Sequence, residues 1–281
     1  MGDKFQRSAG LLVVFMEPGS SVTLEEFHEW YDTEHVPLRI QRFPSFRSAA
    51  RYAVTETTLS PGESTDSVKV GPRSSWAAFY TISDNSVFSD VSYTSLREER
   101  SKREAELFTR LAIVDRRIYA LEYDSDADDR IGPKERKRIG LNVQLASDTP
   151  KYVVTNSVDV VQDMQEEYAR WFEEEHVVML AKVPGWRRSR RFRLIDNGVN
   201  GKDAKSGDAE GVPKIMGMHE YDNDTPEQTP EFQAATTTAW RSQIVGENNC
   251  NVIRRERKTC SLYRAWDPIA ALKAQEKRQD V

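Results

Sequence analysis

Cysteine, histidine and long apolar runs are all scarce in this chain. Only Cys250 and Cys260 occur among 281 residues, too few for a disulfide framework, so two reduced thiols in a cytosolic protein is the plain reading. The four histidines, His28, His35, His176 and His219, show no HxH or HxxxH spacing, and no CxxC accompanies them; no metal site is expected. The apolar stretch Leu11 to Met16 is short and runs at once into Glu17-Pro18-Gly19, which excludes a signal peptide or membrane span there. Gly2 opens no myristoylation motif, because position 6 is Gln6. Phosphate loop, dinucleotide fingerprint and nucleophile elbow are all missing. A net charge of −5 gives no field that favours nucleic acid or an acidic membrane.

What the chain does contain is an internal echo. Trp30-Tyr31-Asp32-Thr33-Glu34-His35 returns as Trp171-Phe172-Glu173-Glu174-Glu175-His176. Pro44-Ser45-Phe46-Arg47 is answered by Pro184-Gly185-Trp186-Arg187, Arg51-Tyr52 by Arg191-Phe192, and Trp76 to Ser83 by Ile215 to Asp222. A period of about 140 residues is far longer than a solenoid repeat, so each copy is a small domain. The expected division is 1–123 for the first unit, 124–150 for a linker containing Lys134 to Arg138, and 151–281 for the second unit with a C-terminal extension. With 38% apolar and 30% charged residues, the composition is that of a soluble globular protein.

Each half reads as strand, helix, strand, strand, helix, strand. In the first, Leu11 to Met16 is a strand, and Thr23 with Glu26 forms a capping box for a helix that Pro37 ends. Phe46 to Thr55 and Trp76 to Ile82 are strands, separated by a polar loop from Ser60 to about Ser74. A charged helix from Ser89 to Arg110 and a strand from Asp115 to Tyr123 complete it. The second half is expected to show strands at Tyr152 to Asn156, Arg187 to Ile195, Lys214 to Tyr221 and Thr259 to Trp266. Its first helix is capped by Asp163 with Glu166 and its second spans Thr229 to Val245; Asp196 to Val212 is a glycine-containing loop. That order is the α+β, split βαβ or ferredoxin-like unit (βαββαβ), and two of them can bury their bare faces sheet to sheet.

The phrase Trp-Tyr-x-x-Glu-His-x-Pro, followed by Pro-x-Phe-Arg and Arg-Tyr, resembles the dimeric α+β barrel superfamily, in particular its EthD-like members, here as a tandem in one chain. The resemblance implies cofactor-free monooxygenases, polyketide cyclases, decarboxylases or isomerases, with some haem proteins and proteins of other roles among the relatives. The first half carries the whole motif, whereas Val178 stands where Pro37 would recur; the pocket is therefore expected in the first half.

Helical spacing places Phe27, Tyr31, Glu34 and Leu38 on one face with His35 at its edge. His35 is read as the general base or acid, with the alternative that it is a hydrogen-bonded helix-end histidine. Tyr31 and Tyr80 would orient substrate or polarise a carbonyl; Phe27, Trp30 and Trp76 would be apolar walls, and His28 and Arg51 further contacts. His176 repeats His35, and His219 falls opposite Tyr80 in the repeat register; which face of the third strand lines a pocket stays open. The basic run Arg187, Arg188, Arg190, Arg191 and Arg193 is read as a strand or loop solvated on one side, with one arginine available for an anionic substrate. The expected function is cofactor-independent, His-assisted proton transfer on a small aromatic or polyketide-like metabolite in secondary metabolism: cyclisation, decarboxylation or isomerisation. A cofactor-free oxygenase and a non-catalytic metabolite-binding or stress-related barrel are the alternatives. A small molecule is the expected partner, with a homodimer also open.

Overall fold

The computed structural model describes residues 5–61, 74–131, 142–246 and 250–279. The interior of the Ser60 to Ser74 loop and the Lys134 to Arg138 part of the linker lie outside these residues.

β1 (Gly10–Glu17) leads to α1 (Leu24–Trp30), which Thr23 starts by accepting the Glu26 backbone N–H at 3.1 Å. The helix does not stop at Pro37. A π-helical turn, Tyr31–His35, carries it into α2 (Val36–Arg42). That wide turn precedes a proline whose ring would crowd the previous turn and whose missing N–H would break an α-helical ladder, so Pro37 is accommodated. β2 (Ala49–Pro61) and β3 (Trp76–Ile82) follow, with Phe46 making only an isolated bridge to Ile82. The expected helix from Ser89 to Arg110 is broken. Asp90 caps α3 (Val91–Thr94) and Ser101 caps α4 (Lys102–Arg110), each taking a backbone N–H that a continuous helix would have used internally. β4 (Ile113–Asp124) ends the first half.

In the second half come β5 (Tyr152–Val160), α5 (Gln165–Trp171), a second π-helical turn at Phe172–His176, and α6 (Val177–Leu180). Asp163 is not the cap: a 3₁₀ turn over Gln162–Met164 precedes α5, and Met164 stands at its start without a side-chain bond. β6 (Trp186–Asn200) reaches into the expected loop, because Gly198 to Asn200 still pair with β4. It turns at Gly201, whose φ of +118° and approach to the Ala112 carbonyl admit only glycine. After β7 (Ile215–Tyr221), the expected Thr229 to Val245 helix divides into α7 (Pro230–Thr236) and α8 (Ala239–Val245), where Thr238 caps the second piece. β8 (Val252–Trp266) and α9 (Ile269–Gln279) end the chain, α9 packing on α2.

The eight strands close into one antiparallel barrel in the order β1-β3-β2-β8-β5-β7-β6-β4. Each half contributes four neighbouring strands in the same relative order, and the seams are β2 with β8 and β4 with β6. Both pairs of sheet edges are thereby consumed. Leu11, Val13, Phe15, Phe79, Phe192, Met216 and Met218 fill the inside. Asp115 and Arg117, opposite Phe15 and Val13 in register, share this interior with Glu256 and Lys258. The helices lie outside, burying Leu12, Val14, Ala78 and Tyr80 in the first half and Val154, Val158, Ile215 and Tyr221 in the second. This settles the third-strand face: Ala77 and Phe79 point into the barrel, whereas Trp76, Ala78 and Tyr80 point to the helices, as do Gly217 and His219.

The basic run on β6 is not a solvated face. Arg188, Arg190 and Arg191 are buried, each against a carboxylate: Arg188 with Asp124, Arg190 with Glu220 and Arg191 with Glu173 at 2.8 Å. Such charges are buried only when paired. Among the described residues no helix is long and apolar enough to cross a membrane.

Candidate functional site

In the first half the π-helical turn presses His35 between Trp30 and Tyr31, with ring centroids 4.7 and 4.8 Å away. Burial and the Arg39 guanidinium push its pKa down to about 4, against the opposing pull of Glu104. The imidazole is therefore neutral near pH 7 and donates Nδ1–H to the Glu104 carboxylate at 3.2 Å. Phe27, Trp30, Tyr31 and Tyr80 are wholly buried in the same cluster. Burial raises the pKa of both tyrosines.

His28, Arg51 and Trp76 gather one turn earlier, at the β2–β8 seam. Arg51 donates to His28 Nδ1 at 3.0 Å and pairs with Asp32. His28 stacks on Tyr263 of β8 at 4.6 Å and meets the edge of Trp76 at 4.3 Å. The sequence-predicted residues of the first half thus do assemble, into two side-chain clusters.

A largely apolar cavity lies in the second half. A space of about 440 Å³ opens between α5, α6, α7 and α8 and the helix-facing side of β5, β7 and β8. Its walls are largely apolar, including Val154, Tyr168, Trp171, Phe172, Leu180 and Phe232, and His176 and His219 lie among them. None of the first-half candidates lines it, contrary to the expectation that the fuller motif would hold the pocket. The repeat register supplies the physical reason. Trp76, Ala78 and Tyr80, which pack beneath the first-half helices, are replaced by Ile215, Gly217 and His219, so less side-chain volume is available beneath the second-half helices. Gly217 keeps this space open: a Cβ there would come within 2.9 Å of the Phe172 ring, which would have to shift.

His176 stacks on Trp171 at 4.6 Å and meets His219 edge to face at 5.4 Å. Burial pushes the His176 pKa down to about 4 and that of His219 well below the ordinary histidine value. Both rings are neutral near pH 7. His176 Nδ1 and His219 Nε2 are buried without a hydrogen-bonding partner among the described residues. Unlike His35 Nδ1, then, His176 Nδ1 is buried and unengaged, on a residue that lines the cavity; an apolar cavity with a few converging polar atoms is the usual form of a small-molecule site. Arg257, paired with Glu227 at 2.7 Å, adds charge at one side. Among the described residues, no group of three or more His, Cys, Asp and Glu converges as metal ligands.

Sequence reasoning missed Tyr168, Phe172 and Phe232 as walls and Trp186 and Ser189 beneath His219. Their signal was the set of positions at which the two halves differ, rather than those at which they agree.

No family profile and no curated protein matches the chain in sequence. Solved structures with a similar course over nearly the whole chain include an anthrone oxidase-like protein, 12% identical, with a TM-score of 0.48, covering 95% of this chain and 94% of that one. Another is a provisionally assigned monooxygenase from Fusobacterium nucleatum, 8% identical, TM-score 0.49, covering 92% and 94%. A provisionally assigned chlorite dismutase is 10% identical, TM-score 0.48, covering 95% and 96%. Similarities of this size assign no chemistry.

Proposed function

We propose that the protein is an enzyme that binds a small, largely apolar metabolite in the second-half cavity and moves a proton on it without a cofactor. The observation that carries this reading is the unengaged Nδ1 of His176, a neutral imidazole nitrogen buried at the wall of an apolar cavity. A neutral imidazole accepts a proton from a bound molecule, and its low pKa returns that proton readily. The aromatic walls favour a flat or aromatic ligand. Isomerisation, cyclisation and decarboxylation all use such a step. His176 and His219 take the roles first expected of His35 and Tyr80, while His35 serves to fix the helix through Glu104.

We further infer that the chain is a tandem of two ferredoxin-like units of EthD-like type, divided near 1–123 and 151–281. The matching strand orders support this, as do the identical π-helical turns that end at His35 and His176.

The test is a metabolite profile of cells carrying wild type, a gene deletion, His176→Ala or His35→Ala, with folding checked by circular dichroism. The expected result is that folded His176→Ala accumulates the same compound as the deletion, and that any folded His35→Ala matches wild type. A His176→Ala profile equal to wild type would remove His176 from the chemistry. Oxygen uptake by purified protein on the accumulated compound would move the reaction into the oxygenase class.

A further inference from the structure

The contacts beneath His219 determine which of its nitrogens carries the proton. Ser189 Oγ lies 2.8 Å from His219 Nδ1 and 2.9 Å from the indole Nε1 of Trp186. An indole N–H can only donate, so Ser189 Oγ accepts from Trp186. Ser189 is wholly buried, and its single hydroxyl proton finds an acceptor only if Nδ1 is the bare nitrogen. The opposite arrangement would leave a buried O–H unsatisfied, which costs about 1–3 kcal/mol. The Ser189 backbone is held in turn, its N–H donating to Ser125 Oγ at 3.0 Å. Neutral His219 therefore carries its proton on Nε2, the atom without a partner among the described residues.

We propose that Trp186 and Ser189 are positioning residues that make His219 a hydrogen-bond donor to the ligand, so that the cavity selects a molecule with a carbonyl oxygen. This rests on the cavity reading above and specifies its substrate as an apolar, aryl ketone. The two histidines then divide the work. His219 Nε2–H donates to the carbonyl oxygen, and His176 Nδ1 takes the proton from the adjacent carbon. The C–H electron pair forms the C=C bond of the enolate as the carbonyl π pair moves onto oxygen, where His219 holds the charge. In a β,γ-unsaturated ketone the enolate is a dienolate, and return of the proton from His176 to its γ carbon shifts the C=C bond into conjugation with the re-formed carbonyl, an isomerisation with no other reactant. In the first half the same three positions are Phe46, Ala49 and Tyr80, which offer neither the indole donor nor the relaying hydroxyl.

The experiment uses the full-length protein labelled with ¹⁵N at histidine, in wild type, Ser189→Ala and Trp186→Phe, with an acyl-dimethylaminonaphthalene as an aryl-ketone probe whose emission reports hydrogen bonding to its carbonyl. The His219 ring nitrogens should show Nε2 protonated in wild type and a proton shared between both nitrogens in Ser189→Ala. Probe affinity should fall about fivefold, the loss of one hydrogen bond, and the bound emission should move to the blue. Trp186→Phe should shift the tautomer in the same direction and keeps the test available if Ser189→Ala does not fold. A wild-type His219 protonated at Nδ1, or variants with unchanged ring spectra, would overturn the relay. Failure of wild type to bind the probe would overturn the cavity reading and the carbonyl assignment with it, while the ring spectra still judge the relay alone.

Discussion

His35 and His176 end identical π-helical turns and share a pKa near 4, yet one donates to Glu104 and the other faces a cavity. Because burial depresses these histidines below the unfolded value of about 6.5, only the unfolded chain takes up protons there between pH 6.5 and 4. Stability is therefore full above about pH 6.5 and falls as the pH drops toward 4, by up to about 3 kcal/mol for each of the two. Urea unfolding across that range should show the decline, and it should be shallower in any folded His35→Ala variant. If His176 is the base, turnover should persist through pH 6.5 and fail only near 4, which a kcat/KM profile would report. Gly217 offers a sharper test. The Cβ of Gly217→Ala would meet Phe172 at 2.9 Å and lie 3.4 Å from His219 Nε2, so the variant should lose about 1–3 kcal/mol and most of its probe binding, by thermal melting and fluorescence titration. Wild-type binding in that variant would place the ligand elsewhere. The histidines themselves were legible from the repeat, but which copy had become open was not. That depended on the volumes of side chains brought together from separate elements.

At the level of elements, one arrangement occurs twice: a strand arginine reaches back to an acid on the π-helical turn, Arg51 to Asp32 and Arg191 to Glu173. Strand and helix are thereby tied together across the sheet face that each helix covers. Arg51 is almost completely buried and lies over Phe27, Tyr31 and Trp76. Arg51→Ala should cost about 3 kcal/mol, since it leaves Asp32 buried with only Tyr263 and the more exposed Arg264. Arg51→Lys should recover only part of that, because a lysine provides no flat guanidinium to stack and to bond His28 simultaneously. Equilibrium urea denaturation checks both, and an Arg51→Ala stability within error of wild type would show the tie to be unimportant. Strands were the most readable elements, above all Trp76 to Ile82, because alternation and turn residues bound them on both sides. Helices were readable at their starts and poorly thereafter. Asp90, Ser101 and Thr238 each begin a new helix inside a segment that periodicity reads as one, and Pro37 sits in a helix that a π-helical turn allows to continue.

For the whole molecule, closure through β2 with β8 and β4 with β6 makes the two halves one folding unit. The sequence echo leads to two units packed sheet to sheet, but strand patterns do not say which edges will meet. The barrel interior carries the coupling further. Arg117 of β4 in the first half bridges Asp115 and Glu256 of β8 in the second, each at 2.6 Å, with all three buried. Neither half alone could satisfy that guanidinium and its two carboxylates. Unfolding should accordingly be a single transition, with tryptophan fluorescence and far-ultraviolet circular dichroism coincident. Arg117→Met should lower stability by about 3–5 kcal/mol, because two carboxylates are then left in the interior with Lys258 as the nearest cation. It should also keep the transition single, since both seams remain. Two separated transitions in wild type, one from each half, would mean that the seams are weak and that the halves are joined mainly by the chain. A single transition that becomes two in Arg117→Met would instead locate the coupling in the buried charges rather than in the strand pairing.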